Sequence, residues 1–195
     1  MKRKGLKKLI NLYDFDKTIY AGDSSMDFFF WCAMKNPSIY LNLPKMAWAG
    51  LKYKLKLIDK TEMKEVIFSF LKKVKDVDKE VELFWEEHKC YIKDFYLKKK
   101  HDKDIIISAS PEFLLEGICK ELKVKDMIAS RVNKKTGNFT GKNCHGEEKV
   151  RRLNKKHGEV EVKEAYSDSK SDLPILKLAK KAYYVKGDKI LPCEY

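Results

Sequence analysis

The sequence predicts an α/β protein: a parallel, doubly wound sheet with a helical insertion after its first strand. Three observations carry that expectation. Apolar runs too short for helices, at residues 9–13, 104–108, 127–132, 160–166 and 183–185, are followed past residue 100 by helical patterns, and such alternation makes a parallel sheet with right-handed crossovers. Between residues 20 and 100 the character is instead helical, with apolar side chains at amphipathic spacing. A chain of 195 residues with 44% hydrophobic content can build one good core plus a modest insertion. The expected organisation is a core from residues 1–19 and 101–195, with residues 20–100 as a helical unit.

Each element has a local reason. Leu9-Ile10-Asn11-Leu12-Tyr13 is the short apolar run of a buried strand. Asp23-Ser24-Ser25 before Met26 to Met34 is an N-cap signal followed by a helix. Asn36-Pro37 interrupts it, and a second piece, bent or restarted at Pro44, carries Met46, Trp48, Leu51, Tyr53 and Leu55. Asp59-Lys60-Thr61-Glu62 opens a third helix. Asp76-Val77-Asp78 opens a fourth, carrying apolar residues from Val81 to Tyr96. These four aromatic-rich helices are expected to form a small bundle that is its own layer. Four consecutive aromatics, Phe28 to Trp31, go round a helix, so part of that set should face elsewhere, the cleft being a candidate.

Past residue 103 the texture changes. Asp104-Ile105-Ile106-Ile107-Ser108 is β-branched and reads as a buried parallel strand, and Pro111 suits the first turn of a helix over 113–122. A strand at 127–132, a turn at Thr136-Gly137-Asn138 and a helix from near Gly146 through Leu153 follow. A strand at 160–166, a helix running through Leu176 to Ala182 and a last strand at 183–185 complete the pattern.

Composition narrows the function. Five cysteines without a CxxC pair, odd in number, favour reduced thiols in a cytoplasm over a disulfide framework or a zinc site. The basic start, Met1 to Lys8, resembles a signal peptide only superficially, because the apolar run after it is short and ends at Asp14. The most apolar longer region, 39–58, is broken by Lys45, Lys52, Lys54 and Lys56 and should not span a membrane. A net charge of +13 suits anionic partners, but the lysines are spread along the chain with no nucleic-acid module, so nucleic acid is not expected.

Four polar groups fall at strand ends or helix starts: Asp14 with Asp16, Ser108, Lys149, and Asp168 with Asp172. In a parallel sheet those ends share one edge, so residues remote in sequence meet in one cleft. Period two sends the Asp14 and Asp16 side chains to the same side, and two carboxylates that close need a cation, usually Mg²⁺. The set reads as acids for a metal beside donors for an anion.

At this point the chain resembles the haloacid-dehalogenase-like (HAD) phosphatases. Asp14-Phe15-Asp16-Lys17-Thr18 is similar to the first family motif, Ile105 to Ser108 to the second, Lys149 to the third, and Ser167-Asp168-Ser169-Lys170-Ser171-Asp172 to the fourth. The resemblance implies a Rossmann-like core with the insertion as a C1-type cap, and the Ser108 to Glu112 and Gly141 to Lys149 segments look most like the phosphoserine-phosphatase-like subfamily IB. It implies Asp14 as nucleophile and Asp16 as acid then base. It further implies Mg²⁺ on Asp14, Asp168 and the Asp16 carbonyl, with phosphate held by Ser108, backbone such as that of Ala109, and Lys149. Asp172 would orient a metal-bound water or Lys149. Asp23 stands where subfamily IB relatives carry an acid, as a plain N-cap or as a substrate contact.

Two departures stand out: Ser167 where the family often has glycine, small enough to be tolerated, and Lys17 where a small residue is common, read as pointing to solvent. Cys144 and His145 read as structural, and Thr18 as shaping the loop. The insertion lacks the arginine a phosphoserine carboxylate would want and offers lysines beside aromatics, which suits a phosphorylated small molecule or lipid head group with at most peripheral membrane contact. Phosphotransfer to an alcohol, or a noncatalytic basic module, are the alternatives to hydrolysis.

Overall fold

The computed structural model describes residues 9–194; the basic segment Met1 to Lys8 lies outside them. Six strands form one sheet in the order β3-β2-β1-β4-β5-β6. They are β1 (Leu9–Tyr13), β2 (Asp104–Pro111), β3 (Asp126–Ser130), β4 (Glu161–Ser167), β5 (Ala179–Lys186) and β6 (Lys189–Pro192). The first five pair in parallel and β6 closes the edge antiparallel. Both faces of the centre are covered, which is why Ile105, Ile106 and Ile107 can be consecutive and all buried. Alternation divides them: Tyr13 and Ile106 join one apolar cluster, Leu12, Ile105 and Ile107 the other.

After β1 come α1 (Ser24–Lys35), α2 (Leu43–Lys54), α3 (Lys60–Phe68), α4 (Val77–His88) and α5 (Asp94–Lys99). The caps are those the sequence signals: Asp23 accepts from the Met26 N–H, Asp59 and Glu62 form a capping box, and Asp76 accepts from the Lys79 N–H. The long fourth helix stops at His88 instead. Its chain turns through Lys89–Tyr91, and Ile92 pairs with Tyr20, so the two ends of the insertion run side by side.

The insertion does not close its own core. Trp85 packs edge-on against Phe15 and Tyr20, its indole N–H donates to the Leu114 carbonyl at 2.5 Å, and Phe28, Phe29, Phe70 and Phe84 continue the same cluster down to the sheet. Of the four-aromatic run, Phe28, Phe29 and Trp31 are buried there and Phe30 is exposed, so none faces the cleft.

The rest comprises α6 (Glu112–Glu121), α7 (Glu147–His157) and α8 (Leu173–Leu176). The helix expected to run to Ala182 is a correction: α8 ends at Leu176 and β5 begins at Ala179. Ala179, Ala182 and Val185 are buried at a spacing of three, a helix-like pattern, but pairing of Ala182 with Ala165 and of Tyr183 with Tyr166 prevails. Strand β6 was not expected. It follows a two-residue Gly187-Asp188 turn, with Gly187 at φ +58°, and is exposed along its length.

Candidate active site

At the carboxyl edge of the sheet a cleft of about 290 Å³ opens between the strand ends and α3. Asp14, Asp16, Asp23, Ser108, Ala109, Lys149, Asp168 and Asp172, brought from five separate stretches of chain, all line it. Asp14 follows β1, whose end is pinned where the Asp14 N–H donates to the Tyr166 carbonyl at 2.9 Å. Lys149 lies in the first turn of α7 after Gly146, whose φ of +57° favours glycine.

Lys149 is 1% exposed and donates to both Asp14 Oδ1 and Asp172 Oδ2, each at 2.7 Å. Of the two roles expected for Asp172, the lysine contact is made through Oδ2, while Oδ1 has no hydrogen-bond partner. Ser167 is more than tolerated: its hydroxyl donates to the same Asp172 oxygen at 2.7 Å. Thr18 ties the two acidic loops together by accepting from the Asp168 N–H at 2.9 Å. Lys17, at φ +57°, is exposed and borders the cleft rim.

Asp16 is held differently. Its Oδ1 accepts from the Ser24 N–H at 2.9 Å and its Oδ2 from the Ser110 hydroxyl. Ser108 is buried and accepts from the Ser110 N–H at 3.0 Å, within the last part of β2, where the pairing with β3 shifts register between Ile107 and Pro111.

The electrostatics follow from burial. Burial pushes the Asp14 carboxyl up to about 7, even against the Lys149 ammonium beside it, and the Asp172 charge pushes the same way. Asp16 rises to about 6 through burial and the charge of Asp23, opposed by the Ser110 and Ser24 hydrogen bonds. Asp168 rises too, by burial and then Asp172. Burial works against the charge of Lys149, but Asp14 and Asp172 more than offset it and hold the ammonium well above its ordinary value.

The floor therefore carries more carboxylate than cation. A divalent ion fits this excess, and the donors are all hard oxygens. The buried Asp172 Oδ1 has no hydrogen-bond partner, which leaves an acceptor free for a metal-bound water. Among the described residues no three His, Cys, Asp or Glu side chains gather as metal ligands.

The cleft is also lined by two lysines given no site role from the sequence, and by His145, read there as structural. Lys60 and Lys64, one turn apart on α3, face the acids; Lys64 donates to the Ala109 carbonyl at 2.8 Å. Burial lowers both ammonium groups, Lys64 to about 8 despite the attraction of Asp16. His145 is in the wall, its Nε2 buried and unpartnered, and burial together with Lys60 holds its pKa down to about 4, so it is neutral. Cys144 is buried structure, its thiol pushed up to about 11 by burial. Ser110 had a signal, two residues beyond Ser108 in the same Ser-Ala-Ser stretch.

Known proteins resemble this chain in sequence and in fold. A family model described as haloacid dehalogenase-like hydrolase matches residues 12–177. A histidinol-phosphatase of Neisseria meningitidis serogroup C (strain 8013) is 30% identical over 99 residues; the match spans 45% of this chain and 45% of that relative, less than half its length. Among solved structures, a Bordetella pertussis Tohama I protein superposes with a TM-score of 0.75 at 18% identity, covering 90% of this chain and 89% of that one. A phosphoserine phosphatase captured as a phospho-aspartyl intermediate analogue gives 0.58 at 18% identity, covering 90% and 85%. At these identities the structural likeness shows the fold.

Proposed function

The chain belongs to the haloacid dehalogenase-like hydrolases, and from that premise we propose that it hydrolyses phosphate monoesters through an aspartyl-phosphate on Asp14. The observation that carries the reading is the buried chain Asp14–Lys149–Asp172 beside an independently held Asp16. Lys149 holds Asp14 in place and neutralises charge on nucleophile and phosphoryl oxygens.

In the first step the Asp14 carboxylate forms a bond to phosphorus in line with the ester oxygen, and the P–O ester bond breaks. Asp16, whose raised pKa keeps it partly protonated near neutrality, gives its proton to the leaving alcohol. In the second step Asp16 takes a proton from water, the water oxygen bonds to phosphorus, and the bond to Asp14 breaks to release phosphate. Ser108 and the amides near Ala109 orient the phosphoryl oxygens. Mg²⁺ held by the Asp14 and Asp168 carboxylates and the Asp16 carbonyl supplies further charge neutralisation when bound.

Residues 20–100 act as a cap over this cleft, with Tyr20 and Ile92 at its paired base. The substrate class is a phosphorylated small molecule or lipid head group; relatives named for phosphoserine and histidinol phosphate make small phosphorylated compounds the first to screen. A cytoplasmic setting suits the five free cysteines. The test is hydrolysis of p-nitrophenyl phosphate and a panel of phosphorylated metabolites with Mg²⁺ present. Turnover that Asp14→Asn abolishes is the expected result; a pure protein with no turnover on any monoester, or an Asp14→Asn variant that retains it, overturns the reading.

A further inference from the structure

Helix α2 carries two apolar faces, and only one is used. Met46 and Ala49 are buried against the protein. Trp48 and Leu51, with the C-cap residue Leu55 continuing their line, fall on the other side of the helix and are 58%, 44% and 58% exposed. The flanking segments extend the exposed surface: Leu41 before the helix is 72% exposed and Leu57 after it 68%. Scattered exposed leucines are ordinary on a protein surface, but a run this dense on one element is not.

The charge along this stretch of chain is of one sign, up to Asp59 at the start of α3. From Phe28 to Ile58 the chain has five lysines and no acidic residue. Lys45 and Lys52 flank the exposed stripe on one edge and Lys54 on the other, with Lys56 just beyond the helix; the Lys52 ammonium lies 5.7 Å from the centre of the Trp48 ring. Among the described residues no acid pairs with Lys45, Lys52, Lys54 or Lys56.

We propose that this face of α2 docks on an anionic lipid bilayer, the helix lying in the interface plane with Trp48, Leu51 and Leu55 toward the acyl boundary and the lysines at the phosphates. An apolar stripe with tryptophan, edged by lysine, is the pattern that binds such a surface. Charge complementarity selects this occupant over a second copy, since a two-fold interface would bring the same lysines face to face. The exposed leucines select it over nucleic acid, which the lysines alone would serve. Helix α2 packs on α3, and α3 carries Lys60 and Lys64 into the cleft, so docking holds the cleft one helix away from the bilayer. No helix is long and apolar enough among the described residues to cross a membrane, and the proposal needs only surface attachment.

The experiment is sedimentation of the full chain with phosphatidylcholine vesicles, with and without phosphatidylglycerol, at low and high salt, beside light scattering of the protein alone. It reads binding without turnover, so it stands or falls separately from the proposed hydrolysis. The expected result is binding to the anionic vesicles only, weakened by salt, with a blue shift of tryptophan emission. Trp48→Ala with Leu51→Ser, and separately Lys52→Glu with Lys54→Glu, should each cut binding by at least about tenfold while thermal unfolding is unchanged, as Trp48, Leu51 and Lys54 are exposed and Lys52 is half-exposed. Absence of vesicle binding, binding indifferent to both double variants, or a dimer in solution that Trp48→Ala with Leu51→Ser dissolves would each overturn the proposal.

Discussion

Lys149 Nζ stands 2.7 Å from Asp14 Oδ1 although the two residues are 135 positions apart and both are buried. The contact joins the end of β1 to the first turn of α7, and a second bond of equal length carries the connection on to Asp172. One ammonium thus serves two carboxylates. Lys149→Met removes that charge and leaves both acids buried without their partner. In metal-free protein it should cost about 3–5 kcal/mol of stability, read from urea unfolding. Under conditions where the variant is folded, kcat on p-nitrophenyl phosphate should fall about 10²–10³-fold.

Asp23 acts on Asp16 through charge, and its removal has a definite sign. The Asp23 carboxylate raises the pKa of Asp16, second only to burial. Asp23→Asn keeps an oxygen for the Met26 N–H, so α1 should retain its cap. Without the negative charge Asp16 loses its proton at lower pH, and the fraction able to protonate a leaving group falls earlier as pH rises. The alkaline limb of the kcat/KM profile should therefore move to lower pH, with little change in melting temperature. A limb that stays in place would show that Asp16 does not govern it.

The sequence revealed most where burial is complete on both sides. Residues 104–108 read as a buried parallel strand, which they form, and the acids at 14, 16, 168 and 172 stand at strand ends, where a parallel sheet gathers them into one cleft. Structure set by pairing rather than by local pattern was hidden. Ala179 to Val185 carries helix-like spacing and becomes a strand because β4 offers a partner, while β6, exposed throughout, has no apolar alternation to betray it. Lys60 and Lys64 were hidden for another reason: lysines one turn apart on an amphipathic helix look like a solvated face until tertiary packing turns that face into a cleft.

Gly137 is a test of how the core grips the insertion. It sits at φ +81° in the turn after Asn133, and a side chain there would run into the Phe68 carbonyl at the end of α3. Phe68 in turn packs on Phe139. Gly137→Ala combines left-handed strain of about 1–2 kcal/mol with a backbone clash. The expected outcome is a loss of about 2 kcal/mol or more in urea unfolding, whereas Gly158→Ala, also at positive φ but in open space, should lose less.

Lys60 and Lys64 bear on substrate choice rather than on the bond-breaking step. Both ammonium groups are lowered by burial, and no carboxylate among the described residues forms an ion pair with either, so an anionic group beside the phosphoryl group would relieve a charge already partly stripped of water. Each side chain presents a compact ammonium rather than a planar fork, which suits a second phosphate or a carboxylate held by charge more than by fixed geometry. Lys60→Met and Lys64→Met should therefore raise KM by about tenfold for substrates carrying a second anionic group, the equivalent of one charge-assisted hydrogen bond, and alter KM for p-nitrophenyl phosphate much less. Steady-state kinetics on matched pairs of monoesters, with and without the extra anion, make the comparison. Equal effects on both members of each pair would place these lysines with the phosphoryl group instead.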